Sequence, residues 1–202
     1  MIGSNNWDNR RGRVIIHSGR NSELLHSWLD EDPTDQFGST VSASGSPKQR
    51  LLVDGAMGAG AGGRVIRFRF FEKERRFVEH FRVEAEEKDG NFGRFFSLVI
   101  GNSNGDGIED VYAVDFNAKA GGLNSGQVRV LSGADGKELW RREGQAGEGL
   151  GISKAIAGDV DGDGLADLVS GACKNFGAAV SGGDTTCCRA RMVAFCVPGF
   201  AP

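Results

Sequence analysis

One stretch of nine residues, Asp159-Val160-Asp161-Gly162-Asp163-Gly164-Leu165-Ala166-Asp167, places carboxylates at its positions 1, 3, 5 and 9. Four like charges this close repel one another unless a cation sits among them. The spacing suits a hard ion such as Ca²⁺, which takes six to eight oxygens at about 2.3–2.6 Å. Gly164, at position 6, permits the sharp turn that folds those oxygens around one centre. Leu165 follows and offers its carbonyl, with its side chain turned to the core. A second stretch, Asn102-Ser103-Asn104-Gly105-Asp106-Gly107-Ile108-Glu109-Asp110, keeps oxygens at the same four positions, two of them as neutral amides. Its formal ligand charge is −2 (Asp106, Asp110) against −4 in the other, so it should bind the ion more weakly. Neither stretch is an EF-hand, which needs Glu at position 12 and flanking helices. Ser170 and Ala113 stand there instead, and both flanks read as strands. Magnesium prefers fewer carboxylates and retained waters, and soft metals want sulfur or imidazole.

The elements that must hold these loops recur along the chain. The loops themselves start 57 residues apart. Arg13-Val14-Ile15-Ile16-His17-Ser18-Gly19 matches Gln127-Val128-Arg129-Val130-Leu131-Ser132-Gly133 at 114 residues, twice that interval. Phe37-Gly38, Phe92-Gly93 and Leu150-Gly151 follow at steps of 55 and 58. A shared period of this length marks a repeat architecture. Each unit reads as four short strands: 94–100, 110–115, 127–131 and 138–142 in one, then 152–158, 167–171 and 191–196 in the next, with a fourth cut off. The segment 70–88 fits either helical or strand spacing, and the repeat together with the aromatic, β-branched run 65–71 favours strands.

The string Gly151-Ile152-Ser153-Lys154-Ala155-Ile156-Ala157-Gly158, the 159–167 loop, then Leu168-Val169-Ser170-Gly171-Ala172, resembles an FG-GAP repeat. Phe37-Gly38 and Phe92-Gly93 supply the FG; Gly171-Ala172 and Gly55-Ala56 supply the GA, with Cys173 and Met57 where that motif has proline. The likeness covers residues 12–197 or so and is more specific in the second half. It implies an all-β fold, a partial β-propeller of four-stranded antiparallel blades like those of integrin-α-type propellers. Residues 1–202 then form one partial array, with units at 12–37 (a half blade), 38–92, 93–150 and 151–202. It also implies two structural Ca²⁺ sites, one held by Asp159, Asp161, Asp163, Asp167 and the Leu165 carbonyl. The other uses Asn102, Asn104, Asp106, Asp110 and the Ile108 carbonyl. The unit at 38–92 lacks the loop and carries Ser46-Pro47-Lys48-Gln49-Arg50, where Lys48 or Arg50 can replace the ion's charge.

Composition narrows the functional classes. An apolar fraction of 39% with 25% charged residues is that of a folded, soluble chain, and 32 Gly against 4 Pro suits many tight turns. A net charge of −3 offers no dominant basic surface for nucleic acid. The Arg-rich stretch 67–76 is interleaved with Glu72 and Glu74, with Glu79 just beyond it, and Glu84, Glu86 and Glu87 form a further run; both read as solvated faces. No apolar run reaches the ~20 residues of a membrane helix. Residues 1–13 lack the apolar core of a secretory leader, so either export takes another route or the start is incomplete. Cys173, Cys187, Cys188 and Cys196 allow three pairings, or reduced thiols. His17, His26 and His80 read as surface or packed residues, and Trp28 and Trp140 as packing at equivalent places.

The expected function is a calcium-stabilised module that binds a protein or glycan partner without catalysis, outside the cell or at its surface by the resemblance. The alternatives are the propeller portion of a polysaccharide-degrading enzyme, or a truncated fragment without a function of its own. About thirteen strands make little more than three blades, and a closed propeller needs at least four. The chain is therefore expected to be a fragment or to complete its ring by self-association.

Overall fold

Short apolar runs with period-2 alternation, cut by glycine turns, fold into antiparallel strands. The computed structural model describes residues 1–30, 32–43, 51–56, 58, 62–71, 73, 76–88, 90–94, 96–173 and 190–195, with side chains described in all but 51–54, 173 and 190–195. The chain is all-β, about half of it strand. The one helical element among the described residues, α1 (Trp7–Arg10), is a single turn interrupted by positive φ at Asp8 and Asn9.

Four sheets follow one another in chain order. The first holds β1 (Ile2–Ser4), β2 (Arg13–His17) and β3 (Leu24–Leu29); the second β4 (Phe37–Ala43), β5 (Leu51–Ala56), β6 (Arg64–Phe71) and β7 (Arg76–Glu84). The third holds β8 (Leu98–Val99), β9 (Val111–Asp115), β10 (Gln127–Leu131) and β11 (Glu138–Glu143). The fourth holds β12 (Leu150–Gly158), β13 (Asp167–Cys173) and β14 (Ala190–Phe195). Every sheet is a meander in which each strand pairs with the next. The four do not close into a ring.

A core lies between each consecutive pair of sheets. Val14 and Trp28 of the first meet Phe37, Ala56, Ile66 and Phe68 of the second. Val65 and Phe81 of the second meet Val99, Val111, Ala113 and Leu131 of the third. Tyr112, Val114, Val128 and Val130 of the third meet Leu150, Leu168 and Ala172 of the fourth. Strand β9 therefore alternates between two cores, and all five of its residues are buried. Between the last two sheets the buried Tyr112 hydroxyl reaches Ser170 Oγ at 2.7 Å, which leaves its phenol satisfied out of water.

One junction geometry recurs. The amides of Phe37, Phe92 and Leu150 donate to the carbonyls of Arg11, Gly62 and Ser125 of the preceding sheet, each at 3.0 Å. The next residue is Gly38, Gly93 or Gly151, with φ of 86°, 80° and 99°. A Cβ there would lie 2.6 Å from the Arg13 carbonyl oxygen, 2.3 Å from that of Arg64 and 2.6 Å from Val114 Cγ1. Both the left-handed backbone and the close approach demand glycine. The Phe-Gly pairs seen in the sequence, and Leu150-Gly151 after them, are thus the hinges at which one sheet hands over to the next.

Several expectations shift in detail. The strand expected at 94–100 pairs only over Leu98–Val99, because turns at Arg94 and Phe96, whose amides donate to Asn91 and Arg94 carbonyls, occupy its start. β1 was not anticipated and brings the strands among the described residues to fourteen. Segment 76–84 is strand β7, as the repeat favoured. Arg67 is not on a solvated face: alternation along β6 sends it with Val65 toward the third sheet, where it is 2% exposed. Glu86 is tied rather than merely solvated, pairing with Arg141 at 2.6 Å. Among the described residues no helix is long and apolar enough to cross a membrane. Residues 46–50, Cys187, Cys188, Cys196 and the side chain of Cys173 lie outside what is described.

Candidate metal loops

The two aspartate-rich stretches occupy equivalent places, joining the first strand of a sheet to its second. The 102–110 loop links β8 to β9, and the 159–167 loop links β12 to β13. Their main chains are held by the same four hydrogen bonds. The position 2 amide (Ser103, Val160) donates to the position 9 carboxylate (Asp110, Asp167) at 2.8 Å in both. Gly105 and Gly162 donate to Oδ1 of Asn102 and Asp159 at 2.9 and 2.7 Å. Asp106 and Asp163 donate to Oδ1 of Asn104 and Asp161, and Ile108 and Leu165 to Oδ1 of Asp106 and Asp163. Gly105, Gly107, Gly162 and Gly164 all hold φ between 80° and 87°. The shared bonds and left-handed glycines give both loops the same tight main-chain path.

The loops differ in what those side chains meet. In the 159–167 loop, one carboxylate oxygen each from Asp159, Asp161 and Asp167 lies within 4.8 Å of the others. Asp167 is buried at the base, while Asp159 and Asp161 face solvent. Asp163 is exposed and outside this triad, and Leu165 is half-buried. Three converging carboxylates, with no ion pair to any of them among the described residues, make an oxygen-rich, anionic donor set that fits a hard divalent ion. Asp163 and the Leu165 carbonyl are the residues next in line to complete its shell.

In the 102–110 loop neutral donors already occupy the acids. Asp110 is fully buried; its Oδ2 accepts the Ser103 hydroxyl at 2.6 Å as well as the Ser103 amide, and its Oδ1 accepts the Gly133 amide at 2.8 Å. Burial pushes the Asp110 carboxyl upward, and these three bonds pull it back. Asn104 Nδ2 donates to Asp106 Oδ2 at 3.1 Å. Asn102 and Asn104 are half-buried, Asp106 is exposed and Ile108 is half-buried. Arg67 adds a fixed positive charge nearby: burial depresses its guanidinium to about 10, while Asp110, Glu109 and Asp106 act in the opposite sense.

Sequence reasoning overlooked Ser103, whose hydroxyl does part of a cation's work; a hydroxyl beside the position 9 acid was its only signal. It also overlooked that the loops touch. The Ala166 amide donates to the Asn102 carbonyl at 3.0 Å, a contact between neighbouring sheets with no trace in either motif. The histidines stay apart from both loops' oxygens: His17 Nδ1 bonds the Ser22 carbonyl at 2.9 Å, His26 packs 4.0 Å from Trp28, and His80 meets Arg67. Trp28 and Trp140 pack against the first and third cores respectively. No family model matches the chain, and no curated protein matches it.

Proposed function

We propose that this chain is a calcium-stabilised FG-GAP-type propeller module, non-catalytic, that presents its loops to a protein or glycan partner outside the cell. The observation that carries this reading is the pair of loops with one hydrogen-bond skeleton, each joining the first strand to the second in successive antiparallel meanders. The aromatic-glycine hinges add to it, since they give each sheet the same handover to the next. Asp159, Asp161, Asp163 and Asp167 with the Leu165 carbonyl hold the first ion, and Asn102, Asn104, Asp106, Asp110 and the Ile108 carbonyl the second. The ion supplies positive charge that offsets carboxylate repulsion and locks the loop. At about 1 mM Ca²⁺ and a Kd of about 10⁻⁴–10⁻³ M, each site contributes roughly 0.4–1.4 kcal/mol. Oxygens that surround an ion on all sides leave no open position for an activated water, hence a structural role rather than a hydrolytic one.

The sheets left at the two ends of the array complete a ring by self-association in this reading, which removes exposed edges. Calorimetric titration with CaCl₂ tests the metal assignment. Wild type should give a binding event that Asp161→Ala abolishes, and an identical isotherm in the variant would sink it. Light scattering with calcium present tests the assembly: a stable monomer excludes ring closure between copies.

A further inference from the structure

The same kind of junction is built in two ways in this molecule. Between the second and third sheets, Glu86 and Glu138 meet Arg129 and Arg141. Arg141 binds Glu86 and Glu138 at 2.6 Å each, and Arg129 binds Glu138 at 2.8 Å and approaches Glu86 at 3.6 Å. Two acids face two guanidiniums, and a space of only about 10 Å³ opens beside Glu86 and Arg129. Between the first and second sheets, by contrast, Arg64 Nη2 is the one cation paired with both Asp30, at 2.7 Å, and Asp35 among the described residues. Here a cleft of about 340 Å³ opens.

That cleft has an excess of negative charge. Its described lining carries Asp30, Asp32, Asp35 and Glu79 against Arg64 and Arg82. Glu79 and Arg82 satisfy each other in a two-bond pair, and Asp32 caps Thr34. The imbalance therefore rests on the Asp30–Arg64–Asp35 group, whose side chains are only 10%, 12% and 4% exposed. Asp35 Oδ2 is buried and accepts no hydrogen bond, its closeness to Arg64 being a contact of charge alone. A buried acid without a full set of partners is costly. A proton relieves it only in part: burial raises Asp35 to about 6, with Asp30, Asp32 and Glu84 adding to the rise and Arg64 opposing it, so the group is mostly ionised at neutral pH. The loop is not free to collapse onto the gap, because the Gly58 amide holds the Asp35 carbonyl at 2.9 Å and the Gln36 amide holds that of Arg10 at 2.8 Å.

We propose that this cleft is a binding site for an organic cation, an ammonium or guanidinium carried on an apolar body, which supplies the second positive charge that the neighbouring junction has built in. A bare metal ion fits less well, since among the described residues no three carboxylate oxygens gather here as they do in the 159–167 loop. The apolar body has its own wall: Trp28, Ile66 and Phe68 line the cleft, with Trp28 half-buried against Phe68. An aromatic wall beside a carboxylate is the usual recognition chemistry for such cations. The site is independent of the calcium loops and stands or falls without them.

Agmatine, which carries both cationic groups on a butyl chain, is the probe, titrated into the full chain in saturating Ca²⁺ at low ionic strength. Calorimetry or tryptophan emission should give saturable one-to-one binding with a Kd at or below about 1 mM. Uncharged 1,4-butanediol should not bind. Asp35→Asn should weaken agmatine by about tenfold or more. Asp32→Asn, at the exposed rim, should keep the wild-type melting temperature and weaken it by about two- to threefold. The peptide Gly-Arg-Gly, run in parallel, separates sources: tighter binding than agmatine assigns the cation to a partner protein's side chain, weaker binding to a free small molecule. No saturation by either probe up to about 10 mM, equal binding of the diol, or undiminished affinity in both variants would overturn the proposal.

Discussion

The two aspartate loops share a backbone and differ in filling. Each holds the same four amide-to-oxygen bonds, two residues with φ near 80° and a buried position 9 aspartate. In the 102–110 loop the acids are met by a serine hydroxyl, an asparagine amide and the nearby charge of Arg67. In the 159–167 loop, valine replaces that serine and aspartates replace both asparagines, so three carboxylate oxygens converge. One sequence pattern thus supports two physical solutions to the same repulsion: internal donors in one loop, room for an external cation in the other. The ligand-charge difference of −2 against −4 is only part of the contrast; the neighbours of the acids widen it.

Substitutions can break or sharpen this contrast. The largest effect is expected for Asp110→Ala, which strands the Ser103 amide, the Ser103 hydroxyl and the Gly133 amide inside the protein. In calcium-free urea unfolding it should cost about 3 kcal/mol, clearly more than Asp167→Ala. Equal losses would mean that Asp110 is no more structural than its counterpart. Next, Asp159→Ala, which frees two solvent-exposed loop amides, those of Gly162 and Gly164, should cost about 1 kcal/mol or less without calcium, yet weaken the tighter calorimetric calcium event by about tenfold or more. The double variant Asn102→Asp with Asn104→Asp should raise the calcium affinity of the weaker loop by about tenfold. If affinity stays flat, Ser103 and Arg67 rather than ligand charge set the limit. The smallest change is Val160→Ser, which gives Asp167 the hydroxyl partner that Asp110 has. A two- to threefold loss of calcium affinity, about 0.5 kcal/mol, is expected in the same titration; a gain would contradict competition between internal donor and ion.

Much of the fold was legible because its signals are local. Alternation in 127–131 and 138–142 marked β10 and β11 almost to the residue, since a strand sends successive side chains to opposite faces. The aromatic-glycine pairs were readable as landmarks, although their reason, a close approach to the previous sheet, is tertiary. The shortening of β8 was not legible: the run 94–100 has strand composition, but the left-handed Gly93 and the turns after it delay pairing until Leu98. Arg67 was misread for a related cause. A charged residue among charged neighbours looks solvated until alternation and a second packed sheet put it inside.

At the loops, residue type and spacing alone determined the main-chain path, because glycines with positive φ and side-chain-to-backbone bonds act within nine residues, although Asp163 stays outside the group that converges. Only tertiary structure decided how much those oxygens need an ion. That depends on Gly133 from the next turn, Arg67 from the neighbouring sheet and the Ala166-to-Asn102 bond between loops. Electrostatic need is a sum over everything nearby in space, and nearness in space is what a linear sequence does not record.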